Sequence, residues 1–242
     1  MDPALLQITS VSKHFGGFTA LNQVSLDIAR GERFGLIGPN GSGKTTLINC
    51  VSGSLRNDGG SIEFDGEEVS RLPAYQRTRR GIARSFQIPR PFASMSLIEN
   101  LVVPLEYVVH RRSLHKADTR AEAMALLADI GLASKADVPA NRLSQVELRK
   151  MELARAMAAR PRLLISDEAM AGLAGAEVDE VLDILMKLNA KGITIIMIEH
   201  IMQAVMRFSQ RVVCLDAGRI ICEGTPESIV QNADVQKAYL GA

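Results

Sequence analysis

The chain has 242 residues, 47% hydrophobic and 23% charged, enough apolar material to bury a core, so a disordered chain is excluded. Lys+Arg 28 against Asp+Glu 27 leave a net charge of +1, so no global electrostatic case for a nucleic-acid partner exists. The three cysteines form no CxxC and argue against a disulfide scaffold or zinc site, and neither Ile193–Ile198 nor Leu101–Val109, broken by Pro104 and Glu106, reaches the length of a membrane span.

In chain order, Leu5–Val11 and Val24–Ile28 read as strands, and Arg33–Ile37 as a buried strand after a Gly31-Glu32 turn. A glycine-rich loop precedes a helix from about Lys44, with Leu47, Ile48 and Val51 on one face and Gly53 as its stop. Asp65-Gly66, between Ile62-Glu63-Phe64 and Val69, signals a hairpin. Arg77–Arg84 is locally basic. From Ser94 the pattern turns helical, with one helix capped by Asp118 and closed by Gly131, and another from Ser144 to just before Pro161. After Pro161 strand and helix alternate: Leu163–Ile165, an amphipathic helix through Val178, Val181, Leu182, Leu185 and Leu188, the strand Ile193–Ile198, a helix from Ile201, then a hairpin around Asp216–Arg219. This order predicts an α/β fold with a mostly parallel sheet, an N-terminal antiparallel β-subdomain and an inserted helical block over 88–160.

Gly38-Pro39-Asn40-Gly41-Ser42-Gly43-Lys44-Thr45 matches G-x-x-x-x-G-K-[ST] in the required context, strand before and helix after, with Thr46 next on the helix. Glycines let the main chain curl so that successive N–H groups point at phosphates, and the helix adds its N-terminus. Lys44 would reach the β- and γ-phosphates and Thr45 would hold Mg²⁺. The predicted site is therefore a nucleoside triphosphate site. Asp167, at the end of an apolar strand, would hold Mg²⁺ through water, and Glu168 would orient or deprotonate the attacking water. His200 ends the next strand and is placed to contact the γ-phosphate and that water.

At these residues the chain resembles the nucleotide-binding subunit of an ABC transporter, a P-loop NTPase, over nearly its whole length. The resemblance implies that Phe15 stacks on adenine, that Gln87 in Ser85-Phe86-Gln87 touches Mg²⁺ or the attacking water and senses a membrane subunit, and that Leu143-Ser144-Gln145-Val146-Glu147 holds the place of the signature usually written LSGGQ. Both signature glycines are replaced, by Gln145 and Val146. Ser144-x-x-Glu147 is also a capping box, and both readings of Ser144, cap and contact to a nucleotide on the opposite subunit, are kept. Ala174 stands where the family places aspartate or asparagine. Three segments, Phe15–Leu21, Ala83–Gln87 and Val235–Gly241, are similar to the ATP-binding subunits of branched-chain amino acid importers; those for urea, short amides or lipopolysaccharide export look alike.

The resemblance implies a core of 1–87 and 161–242 with a helical signature subdomain over 88–160. It implies membrane-spanning permease subunits as partners, a second ATP-binding subunit, and indirectly a periplasmic or extracellular substrate-binding protein. It also implies a peripheral place on the cytoplasmic face of the inner membrane. A heterodimer is expected, because this chain's altered signature would complete its partner's site. The alternatives are a regulatory nucleotide-binding subunit with weak hydrolysis and a soluble ABC ATPase outside transport; the latter's long coiled-coil insertion or doubled core does not fit in 242 residues.

Overall fold

The computed structural model describes residues 4–85, 89–109 and 119–240. The first two strands, β1 (Leu6–Phe15) and β2 (Phe18–Ile28), run further than the apolar alternation suggests and meet at a Gly16-Gly17 turn. β4 (Gly59–Phe64) pairs antiparallel with β1 and, across Asp65-Gly66, with the short β5 (Glu67–Glu68), giving a four-stranded sheet β2-β1-β4-β5. The register slips along β1 fall beside Ser10 and Gln23, non-glycine residues at φ 50° and 53°, as β-bulges demand.

The second sheet is built on β3 (Arg33–Ile37), β6 (Ile82–Arg84), β7 (Leu163–Asp167), β8 (Thr194–Ile198), β9 (Arg211–Asp216) and β10 (Arg219–Gly224), in the order β10-β9-β3-β8-β7-β6. Every pairing in it is parallel except the β9–β10 hairpin. Side-chain alternation splits the core in two. Leu163, Ile165, Ile196, Ile198, Val213 and Leu215 face α1 (Lys44–Ser52) and the antiparallel sheet; Leu164, Ile195, Met197, Val212 and Cys214 face the opposite layer. That layer contains α6 (Ala176–Ala190) and α7 (Met202–Phe208).

The helices α3 (Leu97–Pro104), α4 (Thr119–Asp129) and α5 (Gln145–Met157) all fall between β6 and β7. Capping boxes start two of them: Ser96 with Glu99, and Ser144 with Glu147. A π-helical turn over Leu105–Val109 continues α3 after Pro104 removes an N–H. Asp118, expected to cap α4, lies outside the described residues.

Sequence periodicity misses α2 (Ala74–Arg79) and β6, which occupy the basic run Arg77–Arg84. The arginines of that run have different tasks. Arg77 is 1% exposed and its guanidinium donates to the carbonyls of Cys50 (2.6 Å), Val51 (2.9 Å), Ser70 (2.9 Å) and Leu72 (2.9 Å), so it caps the end of α1 from the side. Burial of that cation lowers its pKa to about 10.

Candidate nucleotide site

Loop 38–43 connects β3 to α1 at the C-terminal edge of the parallel strands, where α/β sheets open a crevice. Gly38 (φ +148°), Gly41 (φ +80°) and Gly43 (φ +106°) hold conformations that side chains rarely adopt. Gly38 has no room either, since a Cβ there would collide with the Leu215 carbonyl; at Gly43 it would sit 2.6 Å from the Ala20 carbonyl. The loop is further tied to the β9–β10 turn by Gly218 N–H, which donates to the Ser42 carbonyl at 2.9 Å.

A pocket of about 250 Å³ opens over this loop, lined by Phe15, Phe18, Asn40, Gly41, Ser42, Gly43, Lys44, Thr45, Thr46, Glu168 and His200. The topology thus brings together side chains 185 residues apart, from the β1–β2 turn, the loop, and the ends of β7 and β8. Phe15 and Phe18 are directly opposite across their hairpin, so both rings stand on one face, 50% and 63% exposed. Phe18 is a lining residue that sequence reasoning missed; its signal was the two-glycine spacing from Phe15.

Lys44 is buried, and its ammonium donates to the carbonyls of Gly38 (2.7 Å) and Pro39 (3.0 Å). Burial lowers its pKa, opposed by the negative charge of Glu168 and, more weakly, that of Asp167. Both carboxylates therefore act on the same ammonium. Glu168 Oε1 and His200 Nε2 are hydrogen-bonded at 2.8 Å. Glu168 sits at φ +48°, a left-handed backbone that ends β7, while its N–H still donates to the Ile198 carbonyl at 2.9 Å and keeps it beside β8.

Asp167 is 6% exposed and does not line the pocket surface. Its Oδ2 accepts from Arg84 Nη2 at 2.6 Å, and Arg84 Nη1 donates to Asn49 Oδ1 at 2.6 Å. Arg84 was legible only as part of a basic run; that it meets Asp167 follows from β6 pairing with β7, Arg84 against Ile165. Glu199, also missed, is 2% exposed and accepts from Met170 N–H at 2.9 Å. Burial, with Glu168 nearby, pushes its carboxyl up to about 7.

Ser144 does not line the pocket; it caps α5 at the molecular surface. Gln145 is exposed; its Nε2 donates to the Ala171 carbonyl at 3.3 Å, and Arg149 Nη2 donates to the same carbonyl at 3.0 Å. Gln87 lies outside the described residues.

The residues fit a nucleoside triphosphate with Mg²⁺. The cradle tolerates no Cβ at Gly38, a desolvated lysine stands inside it, the Ser42 hydroxyl in its wall is buried without a hydrogen-bond partner among the described residues, and Thr45 offers an oxygen donor that suits a hard cation.

The ABC transporter family model matches residues 21–171. The chain belongs to the ABC transporter family. This ABC ATPase, an ATP-binding subunit, also matches a branched-chain amino acid ATP-binding cassette transporter model over residues 219–242. It is 37% identical to the high-affinity branched-chain amino acid transport ATP-binding protein BraF of Pseudomonas aeruginosa, over 100% of this chain and 99% of that protein. It is likewise 37% identical to LivG of Escherichia coli, a protein of the same description, with 100% and 99% covered. Among solved structures, the ADP conformation of the ATP-binding cassette MJ1267 superposes with a TM-score of 0.89 at 30% identity, covering 99% of this chain and 100% of that one. The ADP- and phosphate-bound dimer of MJ0796 does so with a TM-score of 0.82 at 25% identity, covering 91% and 98%.

Proposed function

We propose that this chain hydrolyses ATP to power uptake of branched-chain amino acids or related small polar solutes, as one of two ATP-binding subunits on the cytoplasmic face of a membrane-spanning permease fed by a substrate-binding protein. The observation that carries the ATP reading is the single pocket in which the glycine loop, Lys44, Glu168 and His200 share a wall. The cargo reading rests on the full-length likeness to branched-chain amino acid transport proteins.

Phe15 faces adenine, and the N–H groups of 38–45 with Lys44 and Thr46 hold the phosphates. Thr45 and Asp167, with Gln87, would hold Mg²⁺, which when bound neutralises charge on the β- and γ-phosphates. Glu168 accepts a proton from the attacking water or orients it, and the 2.8 Å bond from His200 keeps that carboxylate aimed. Residues 1–87 and 161–242 act as the ATP-binding core and 88–160 as the signature subdomain.

A cleft of about 330 Å³ supports the permease contact. It lies between Ala83, Arg84 and Ser54 of the core and Phe92, Tyr107 and Arg155 of the helical block, with Phe92 and Tyr107 44% and 68% exposed. Ser144 would reach the nucleotide of the second subunit.

Glu168→Gln tests the catalytic assignment. Phosphate release falls at least about 100-fold while filter binding still retains ATP. An unchanged rate removes Glu168 from the role of base.

A further inference from the structure

The helix α9 (Ala233–Leu240) follows α8 (Pro226–Gln231) and brings a side chain back to the phosphate loop. Asn232 starts α9, its Oδ1 accepting from the N–H groups of Asp234 (2.9 Å) and Val235 (3.1 Å), and Val235, 5% exposed, anchors the helix in the core. One turn further on, Tyr239 places its hydroxyl on the Gly38 N–H, which donates to it at 2.9 Å.

Gly38 is the residue at which the loop leaves β3. It is buried, so its N–H needs a partner, and no sheet bond supplies one because the β3 pairings end at Ile37. Its carbonyl is the one that Lys44 Nζ holds at 2.7 Å. The Gly38 peptide is therefore gripped from both sides, by a lysine that serves the phosphates and by a phenol that does not touch them. An ammonium that turns to phosphate oxygens gives up the carbonyl; the phenol contact does not depend on that turn. Burial pushes the Tyr239 hydroxyl above its ordinary range, so it stays neutral and able to accept.

We infer that Tyr239 is a positioning residue for ATP binding: its hydroxyl pins the entry of the phosphate loop and keeps the loop's N–H groups set for a triphosphate. The C-terminal helix thereby becomes part of the nucleotide site without contacting nucleotide. This inference rests on loop 38–45 being the phosphate cradle.

The test is Tyr239→Phe in the full chain, which keeps the ring and removes the oxygen. ATP and tripolyphosphate, titrated separately, both bind about three- to tenfold more weakly, the worth of one hydrogen bond. KM for ATP rises with them while kcat holds, and the nucleotide-free thermal midpoint drops because the Gly38 N–H loses its partner. Val235→Ala loosens the helix that carries the phenol, so made on top of Tyr239→Phe it leaves tripolyphosphate affinity no weaker than in Tyr239→Phe alone. Lys44→Ala checks the cradle itself: if that variant binds ATP normally, the cradle assignment is wrong. If Lys44→Ala abolishes binding and Tyr239→Phe binds both probes like the parent, the cradle stands and the role of Tyr239 falls. A further loss in that double variant also overturns it, because docking of the helix apart from the phenol would then be a cause.

Discussion

Glu168 and Asp167 are adjacent in sequence but face different surroundings. Glu168 opens to the pocket beside His200, whereas Asp167 is 8% exposed at its side chain and locked to Arg84, itself 11% exposed. A buried carboxylate stripped of its cation is costly. Arg84→Ala is therefore expected to lower unfolding stability by about 3 kcal/mol in denaturant melts. Added Mg²⁺ raises its thermal midpoint more than the parent's, since Asp167 is left with an unmet charge. A second titration comes from Glu199, whose neighbours include Glu168, His200 and Arg149. Its folded pKa of about 7 lies above the unfolded value of 4.5, so the folded state binds the extra proton between those values. Stability from this group is present below pH 4.5 and is lost as pH rises through about 7, by about 1–3 kcal/mol in all. Glu199→Gln flattens that slope in stability measured from pH 4.5 to 8; a parallel slope in both proteins refutes the assignment.

At the level of elements, α5 and the loop after β7 behave as a joined pair. Gln145 and Arg149 both donate to the Ala171 carbonyl, and Glu199 holds Met170 N–H. Gly172, at φ +78°, leaves room for the Gln145 amide; a Cβ there would run into Nε2. The altered signature and the glycine beneath it are thus one packing arrangement. Gly172→Ala should cost about 1–2 kcal/mol from the left-handed backbone and displaced amide. A double-mutant cycle with Gln145→Ala should recover about 0.5 kcal/mol or more of that. Strict additivity would show that the two residues do not share a contact.

For the whole molecule, the nucleotide pocket is contributed by the core, while Ser144 stands apart from it at the start of α5. On the proposed reading, in which Ser144 reaches a nucleotide on a second subunit, the site is completed by assembly. With Gln145 and Val146 in place of the two signature glycines, the closed species we propose is a heterodimer with a second ATP-binding subunit. In size-exclusion runs with ATP, Glu168→Gln protein alone stays monomeric and shifts to a dimer only with that partner. A stable, fully active homodimer of this chain removes the reason for the heterodimer.

The glycine loop, the acidic pair and His200 were legible because their chemistry is written locally: spacing of glycines sets a backbone, and an apolar strand ending in carboxylates sets an edge. Apart from β6, the strands of the parallel sheet were legible for the same reason, as short apolar runs with turn residues between them. The sequence alone determined which groups could serve a triphosphate. Only the tertiary structure decided what surrounds them. Arg84 reaches Asp167 because β6 lies beside β7, Arg77 vanishes under α1, Phe18 joins Phe15 through hairpin register, and Tyr239 returns to Gly38 across 201 residues. Those partners are set by strand order and helix docking, long-range contacts that leave no period in the chain.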